Sequence, residues 1–394
     1  MFNITHLGQV FTPPDIVAQM LSLKKNQGRT LEPSAGNGAF ANQLSGDFIA
    51  IEVDSKLIDF LPKDKTLNID FFDFPTTEKF DTIIGNPPYV RYQDIPDTTK
   101  NKIKSSLFDK RSNLYLFFIE KCIKHLNKGG ELIFITPRDF LKSTSSILLN
   151  KFIYDNGTIT DLIDLGDQRI FGEYTPNCII WRFEKDNFSR KTNITKQFIY
   201  SNGQLLFTDN EYPIKLKDIF YVKVGAVSGL DKVFENEELG DTEFVYSATC
   251  KTGKTKKMIF NKYHPYLEKF KDQLLKRKIR TFDESNWWQW GRLHHISDKP
   301  RIYVNTKTRN KEPFFIHPCK NYDGSILALF PKDEKADLEQ LKNLLNQVNW
   351  FELGFVCDGR FLFSQKSLEN AVLPETFKSF VSKKEINLFS EINF

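Results

Sequence analysis

The residues with the clearest chemical potential form one run, Asn86-Pro87-Pro88-Tyr89, at the end of an apolar stretch typical of a strand. Two prolines cannot continue a strand ladder, so the chain must leave the sheet here and present Asn86 and the Pro87 carbonyl at its carboxyl edge. These two acceptors can hold both hydrogens of a planar amine, which favours a more tetrahedral nitrogen whose lone pair faces a methyl donor. Tyr89 can stack on the same base, so the motif predicts methylation of a planar amine.

Small residues and acids follow the three strands that precede this motif. The first strand runs into LEPSAGNGAF (31–40), a turn that lets a ligand approach the backbone but lacks the glycine spacing of a dinucleotide fingerprint. Glu52 ends the second strand, where a carboxylate can accept hydrogen bonds from both hydroxyls of a ribose. Asp70 ends the third, where it can accept from an adenine amino group while Phe71 packs on the ring. Each acid alone is typical of a helix cap or a surface residue, but the three features in series indicate a cofactor site.

The elements that would position these groups alternate between strand and helix patterns. The predicted helices include Asp15–Leu23 and Leu114–Leu126, with Lys128-Gly129-Gly130 as a stop signal and a further helix after LEPSAGNGAF. Such alternation predicts a parallel α/β sheet wound on both faces. The predicted strands are Thr30–Glu32, Phe48–Glu52, Leu67–Ile69, Asp81–Ile84, Glu131–Ile135, Ile159–Leu165 and Cys178–Phe183.

The pattern changes after about Glu184. Lys185–Pro213 is polar and is predicted to form loops and irregular strands, and from Ile214 onward short β-like runs precede one late helix, Ala336–Phe351. We therefore expect a domain boundary within residues 205–213, which gives a first domain of residues 1–210 and a second of residues 211–394.

Charge is unevenly distributed along the 394 residues. The net charge is +5, but residues 251–316 contain 17 Lys and Arg against 6 Asp and Glu, a balance of +11, and the remainder has a balance of −6. A basic segment on an acidic chain predicts a polyanionic partner. No run of eighteen apolar residues and no signal peptide is found, so we expect a cytoplasmic protein without a membrane span. The five cysteines form no C-x-x-C pair, which argues against a metal site and a disulfide framework.

The second half supplies candidate contacts to nucleic acid. The cluster 276–280 suits phosphate contacts, which position a protein without reading sequence. The polar residues at 305, 307 and 309 alternate along the chain and could share one face that reads base edges. An exposed edge strand with polar side chains explains the same pattern equally well. Of the tryptophans at 287, 288 and 290, at least two are expected in a core. The candidates for DNA binding are Lys232, Lys276, Arg277, Arg280, Asn305, Lys307 and Arg309, with Arg360 a weaker one.

The motifs resemble, in this order, those of the gamma group of N6-adenine DNA methyltransferases, the TaqI-like and Eco57I-like modification enzymes. The resemblance depends on GQVFTPPDIVAQMLSL (8–23), then LEPSAGNGAF, IEVD, NIDFF and GNPPY, and then IFGEYTPNCIIWRF (170–183). It implies a Rossmann-like class I S-adenosylmethionine-dependent methyltransferase domain with a mixed seven-stranded sheet, followed by an α+β target recognition domain.

The resemblance also assigns residues and partners. Thr12 would cover the methionine part of the cofactor, and Phe171 would pack on the face of a flipped adenine opposite Tyr89. The implied cofactor is S-adenosyl-L-methionine, with no metal. The implied substrate is double-stranded DNA, bound by a monomer. The resemblance also implies a restriction-modification system, in which a separate endonuclease can be the partner enzyme. The catalytic candidates are Asn86, Pro87, Tyr89 and Phe171, and the cofactor candidates are Thr12, Glu32, Pro33, Ser34, Gly36, Glu52, Val53, Asp70, Phe71 and Asn86.

Other activities remain open at this point. The N-P-P-Y motif also occurs in methyltransferases of RNA and of release-factor glutamine, which usually lack the T-P-P opening and a large basic C-terminal domain. A DNA-binding specificity protein with an inactive methylase fold is a third alternative. Cytosine carbon methylation is rejected, because its Pro-Cys pair would be Pro318-Cys319, far beyond the catalytic half. No nuclease motif is found, so restriction activity is not implied.

Overall fold

A computed structural model describes residues 10–108, 112–166, 170–171, 177–357 and 359–381, apart from the side chain of Cys357. The chain forms two compact units, Met1–Asp209 and Asn210–Phe394. Within the described ranges, no helix has the length and apolar character that a membrane span requires. Among the same residues, no three or more His, Cys, Asp or Glu side chains are grouped so that they could hold a metal ion.

Seven strands form the central sheet of the first unit. They are β1 (Thr30–Glu32), β2 (Phe48–Ile51), β3 (Thr66–Leu67), β4 (Phe80–Gly85), β5 (Leu126–Pro137), β6 (Gly157–Asp164) and β7 (Cys178–Lys185). Their order is β3-β2-β1-β4-β5-β7-β6. β7 runs antiparallel to both neighbours while the other neighbouring pairs are parallel, so the expected mixed seven-stranded sheet is confirmed. The strand order reverses between β1 and β4, the point at which open α/β sheets bind ligands.

Four helices and a hairpin complete the described part of the first unit. They are α1 (Pro14–Ser22), α2 (Asp97–Lys100), α3 (Leu114–His125), α4 (Ile147–Asn156), β8 (Gln197–Ser201) and β9 (Gln204–Thr208). Asn113 caps α3 by accepting a hydrogen bond from the backbone N–H of Tyr115. The hydrophobic core includes the β5 residues Leu132–Ile135, which are fully buried.

Two local expectations in this unit were wrong. The segment after LEPSAGNGAF forms only a 3-10 helix, Ala41–Gln43, because the chain is already extended at Leu44 and turns at Gly46, which has φ +79°. The pair Gly129-Gly130 does not separate helix from strand, since α3 ends at His125 and β5 already begins at Leu126. Gly129 has φ +72°, and the β4–β5 register shifts beside this pair, so the glycines make an irregularity within the strand.

The second unit contains small antiparallel sheets, in agreement with an α+β domain. Its strands are β10 (Ile214–Lys215), β11 (Phe220–Val224), β12 (Thr242–Phe244), β13 (Lys256–Met258), β14 (Ile302–Asn305), β15 (Lys307–Thr308), β16 (Phe314–Phe315), β17 (Ile326–Pro331), β18 (Val356–Cys357), β19 (Arg360–Leu362) and β20 (Val372–Leu373). One sheet has four strands in the order β11-β17-β14-β16, and another has three strands in the order β15-β19-β18. The remaining strands form the pairs β10–β20 and β12–β13.

The helices of the second unit are short. They are α5 (Leu216–Ile219), α6 (Asp231–Phe234), α7 (Thr249–Thr252), α8 (Lys271–Leu275), α9 (Leu338–Gln347) and α10 (Gln365–Glu369). The expected late helix is present as α9, which begins after Asp337, whose carboxylate accepts hydrogen bonds from the N–H groups of Glu339 and Gln340. It ends four residues earlier than the pattern predicted.

Candidate active site

A cleft of about 420 Å³ lies at the carboxyl ends of β1, β2 and β4. This position agrees with the rule that open α/β sheets bind ligands where the strand order reverses. The structure thereby brings together most of the residues that the sequence indicated for a cofactor. Those lining the cleft are Pro33, Ser34, Gly36, Glu52, Val53, Asp70, Phe71 and Asn86.

The turn after β1 and the acid after β2 are joined by hydrogen bonds. The backbone N–H of Gly36 donates to one oxygen of Glu52 at 2.7 Å, and that of Asp54 donates to the other at 2.8 Å. Burial raises the pKa of the Glu52 carboxyl, and these backbone hydrogen bonds oppose the effect. A carboxylate offers about four lone-pair positions, so Glu52 keeps capacity for two further donors on a ligand.

Glu32 lies in a different place from the other candidates. Its side chain is 1% exposed and is not among the cleft-lining groups. Burial raises the pKa of the Glu32 carboxyl well above its usual range, while a hydrogen bond from the backbone of Ala41 opposes the shift. One carboxyl oxygen has no hydrogen-bond partner among the described residues. The side chain is therefore built into the base of the turn and is well suited to be protonated.

The catalytic candidate Asn86 is held by the segment that precedes α1. Its amide NH₂ donates to the backbone oxygen of Val10 at 3.1 Å and to the hydroxyl of Thr12 at 3.2 Å. A backbone carbonyl can only accept, so this contact fixes which side of the amide carries the oxygen. That oxygen is buried and has no hydrogen-bond partner within the described part of the chain. A buried acceptor without a partner costs about 1–3 kcal/mol, which a donor on a bound ligand would recover.

The aromatic candidates lie beside one another. Tyr89 is 7% exposed and its hydroxyl donates to the backbone oxygen of Ile135 at 2.9 Å. Its ring centroid is 6.3 Å from that of Phe171 at an interplanar angle of 63°, and 5.9 Å from that of Tyr115 at 85°. Pro87 is buried between Asn86 and Tyr89. The structure thus brings Phe171, which only the resemblance indicated, next to the catalytic motif.

Asp70 and Phe71 occupy the predicted end of the cleft, but their contacts are richer than expected. One oxygen of Asp70 accepts from the backbone N–H of Phe72 at 2.9 Å and the other from the Thr99 hydroxyl at 2.8 Å. Phe71 is 3% exposed, and its ring centroid is 4.9 Å from that of Phe118. Asp70 is therefore a helix cap as well as a cleft residue.

Sequence reasoning missed one wall of the cleft. Pro96, Thr98, Thr99 and Lys102 lie in the segment between the N-P-P-Y motif and α3, and all four line the cavity. This segment carries no motif or hydrophobic period that would have singled it out. The segment lies close to Asp70 because of the path that the chain takes between β4 and α3, and the spacing of residues in the sequence does not reveal that path.

In the second unit the predicted DNA contacts divide into two groups. Arg277 is only 8% exposed, and its guanidinium donates to the backbone oxygens of Leu274, Ser228 and Trp287. Burial and, to a smaller extent, the neighbouring charge of Arg280 lower the pKa of Arg277 to about 10. A direct phosphate contact by Arg277 is therefore not supported, because its donors already serve the fold.

Asn305 is the second residue that the structure places away from the surface. It is 6% exposed at the end of β14, and its amide NH₂ donates to the backbone oxygen of Ser247 at 2.7 Å. The expected shared face with 307 and 309 is wrong, because β15 begins at Lys307 in a different sheet. The candidates that remain exposed are Lys232, Lys276, Arg280, Lys307 and Arg309.

The tryptophans confirm the expectation of a core role for at least two of the three. Trp287 and Trp290 are 3% and 2% exposed and belong to a core cluster of the second unit, while Trp288 packs against it. The indole N–H of Trp290 donates to the backbone oxygen of Ile259 at 3.0 Å. These rings stabilise the basic segment from inside.

Comparisons with known proteins agree with this geometry. Residues 22–171 match the family described as Eco57I restriction-modification methylase. The type II methyltransferase M.HindII of Haemophilus influenzae is 25% identical over 98% of this chain and 96% of its own length. M.HincII of the same species is also 25% identical, with the same coverage of both chains.

A solved structure supports the fold. The type IIL restriction-modification enzyme MmeI, solved in complex with DNA, superposes with a TM-score of 0.58 at 12% identity, over 91% of this chain and 64% of its own. The sheet order, the cleft at the strand ends and the N-P-P-Y motif agree with the matched family and with its cofactor, S-adenosylmethionine. Residues 22–171 are therefore similar to the Eco57I restriction-modification methylases, and nearly the whole chain is similar to type II DNA methyltransferases.

Proposed function

We propose that the protein methylates the exocyclic amino group of an adenine that is flipped out of double-stranded DNA, as the modification enzyme of a restriction-modification system. The observation that carries the proposal is the buried side-chain oxygen of Asn86, which has no partner among the described residues although the NH₂ group of the same amide has two. An acceptor that the fold leaves unused and holds rigidly is suited to an amine donor from outside.

The chain's own contribution is orientation of the amine. The Asn86 oxygen would hold one amine proton and the Pro87 carbonyl the other, which directs the nitrogen lone pair away from both acceptors. The hydrogen bonds from Asn86 to Val10 and Thr12 keep the acceptor in place before the substrate arrives. No group of the protein needs to form a covalent bond with the base.

The rings of Tyr89 and Phe171 would enclose the base. Extrusion from the duplex costs a few kcal/mol, and stacking in the pocket offsets that cost. The two rings are tilted by 63°, so a base that enters between them would have to turn them toward parallel. The hydroxyl of Tyr89, which donates to the Ile135 carbonyl, restrains this ring.

The residues of the cleft fit S-adenosylmethionine. When bound, this cofactor supplies an electrophilic methyl group on a positively charged sulfur. Glu52 has lone pairs left for the two ribose hydroxyls, and Asp70 has capacity for the purine amino group. Gly36 has φ +57°, and the space that a Cβ would occupy there has no heavy atom closer than 3.7 Å, so a ligand can approach this part of the backbone. Thr12 would lie beside the methionine part of the cofactor.

The basic segment of the second unit would contact DNA. Lys276 and Arg280 are exposed on either side of the buried Arg277, and Lys232 is exposed on α6. These residues suit phosphates, which contribute affinity without sequence information. Lys307 and Arg309 remain the candidates for reading bases. Arg277 and Asn305 are withdrawn from these roles because their donors are engaged within the fold.

The chemical identity of the product tests the proposal. Purified protein is incubated with duplex DNA and S-adenosylmethionine labelled in its methyl group, and the digested nucleosides are separated by mass spectrometry. We expect label only in N6-methyladenine. RNA and a release factor serve as competing substrates in parallel reactions. Label in N4-methylcytosine, in RNA or in protein would contradict the assignment, and sequencing of DNA from expressing cells would add the sequence context.

A further inference from the structure

The cleft has a wall that the known motifs do not supply. It is formed by Pro96, Thr98, Thr99 and Lys102, which lie in α2 or next to its ends. Thr99 and Lys102 contact Asp70, which lines the same cleft and follows β3. The contact joins the chain after the catalytic motif to an acid that belongs to the cofactor motifs.

The carboxylate of Asp70 is fixed from both sides. Its first oxygen accepts from the N–H of Phe72 at 2.9 Å, and its second accepts from the Thr99 hydroxyl at 2.8 Å. The ammonium nitrogen of Lys102 lies 3.6 Å from the second oxygen and also bonds to Asp73. The hydrogen bond to Asp73 is the main cause of a raised pKa at Lys102. Only 10% of the Asp70 side chain is exposed.

This arrangement leaves Asp70 oriented but not saturated. A carboxylate offers about four lone-pair positions, and the two short hydrogen bonds occupy two of them. The terminal torsion of an aspartate is soft, so without Thr99 one backbone hydrogen bond would have to hold the carboxylate plane. The hydroxyl is therefore the contact that selects the direction in which the remaining lone pairs point.

We propose that Thr99 is a positioning residue for the purine of the cofactor: its hydroxyl orients the Asp70 carboxylate toward the purine amino group. The inference rests on the proposed role of Asp70 as the acceptor of that amino group. It gives the segment between the N-P-P-Y motif and α3 a part in recognising the methyl donor. Thr99 acts through Asp70 and needs no contact with the ligand.

Calorimetry with two ligands tests this inference. The ligands are S-adenosylhomocysteine and S-inosylhomocysteine, which carries an oxygen in place of the purine amino group. The variants are Thr99→Val, which removes the hydroxyl at constant shape, and Thr99→Ser, which keeps it. Thr77→Val is the matched control, because Thr77 is an exposed threonine that does not line the cleft.

We expect Thr99→Val to weaken binding of S-adenosylhomocysteine roughly three- to tenfold, which is the net value of one typical hydrogen bond. Thr99→Ser and Thr77→Val should stay within about twofold of the unmodified protein. For S-inosylhomocysteine, which the unmodified protein should already bind more weakly, Thr99→Val should cause no further loss.

An equal loss for both ligands would overturn the inference, because it would mean that Thr99 only shapes the wall. Unchanged affinity of Thr99→Val for S-adenosylhomocysteine would overturn it as well. If Thr99→Val does not fold, as judged by its thermal transition, Thr99→Ala is measured against the same two ligands with the same criteria. These measurements involve no methyl acceptor, so a failure of the adenine assignment would leave their outcome unaffected.

Discussion

The cleft of the first unit and the basic segment of the second show how differently two kinds of site are encoded. In the cleft, short motifs end strands of one sheet, and the order of the strands brings those ends together whatever the details of packing. In the basic segment, the composition predicts a polyanionic partner, but tertiary packing decides which of the basic side chains are exposed. Arg277 and Arg280 are three residues apart, yet the first is buried and the second is exposed.

The difference lies in what the fold does with hydrogen-bonding capacity. In the cleft, the Asn86 oxygen and the Glu52 carboxylate retain acceptor positions that the described residues do not use. In the basic segment, Arg277 gives its donors to three backbone oxygens and stacks 3.8 Å from the ring of Phe282. Unused capacity at residues that line a cleft indicates a ligand, whereas donors used within the fold indicate structure.

The largest effect is expected at Asn86. Asn86→Ala should lower the turnover number at least about 100-fold, because it removes a preorganised contact to the reacting amine. Affinity for S-adenosylhomocysteine should change little. Single-turnover methylation and calorimetry measure the two quantities. Asn68→Ala is the matched control, since this asparagine lines the same cleft but donates to the backbone oxygen of Glu52. Similar losses of turnover in both variants would argue against a special role for Asn86.

The next effect sharpens the contrast within the basic segment. Arg277→Met should lower the free energy of unfolding by about 2–4 kcal/mol, because three buried backbone oxygens lose their donor. Urea denaturation measures this change. The adjacent Lys278→Met is the control, because Lys278 is exposed and its loss should cost no more than about 0.5 kcal/mol. Equal stability of the two variants would mean that Arg277 is not a structural residue.

A smaller effect is expected from the exposed charges of the same segment. The double variant Lys276→Ala with Arg280→Ala should weaken DNA binding about tenfold at low salt for every sequence, and lower the slope of log affinity against log salt by up to about 2. Stability should be nearly unchanged. Fluorescence anisotropy at several salt concentrations measures both quantities. Lys378→Ala, an exposed lysine outside the segment, is the control. A loss restricted to one DNA sequence would indicate base reading instead.

The sequence predicted the sheet better than it predicted the surfaces. β1 was predicted at its observed bounds, and the other six strands of the sheet were found, because apolar runs that end in motifs leave few alternatives. The acceptors at Asn86, Glu52 and Asp70 also lie where the strand ends indicated. Thr99 was missed because no local pattern reveals that α2 passes beside Asp70. Arg277 and Asn305 are buried although the sequence led us to expect exposed contacts to DNA, since burial of a polar residue depends on tertiary contacts that spacing does not contain.

The smallest effect separates the two regions by pH. Burial raises the pKa of Glu52, so the folded chain binds this proton more tightly than the unfolded chain does. The contribution of Glu52 therefore makes the free energy of unfolding fall as pH rises through the window between the unfolded and folded pKa values. Ribose hydroxyls would donate to the ionised carboxylate, so binding of S-adenosylhomocysteine should weaken severalfold, by about the value of one such hydrogen bond, as pH is lowered through the same window.

Glu52→Gln tests this last expectation, because glutamine keeps the size of the side chain and cannot titrate. In this variant the affinity for S-adenosylhomocysteine should be low and should depend less on pH, as measured by calorimetry between pH 5 and 8. DNA binding by the exposed residues Lys276 and Arg280 should not follow the same curve, because these contacts do not involve the Glu52 carboxyl. An unchanged pH profile in Glu52→Gln would contradict the prediction, because it would show that another group controls the pH dependence of cofactor binding.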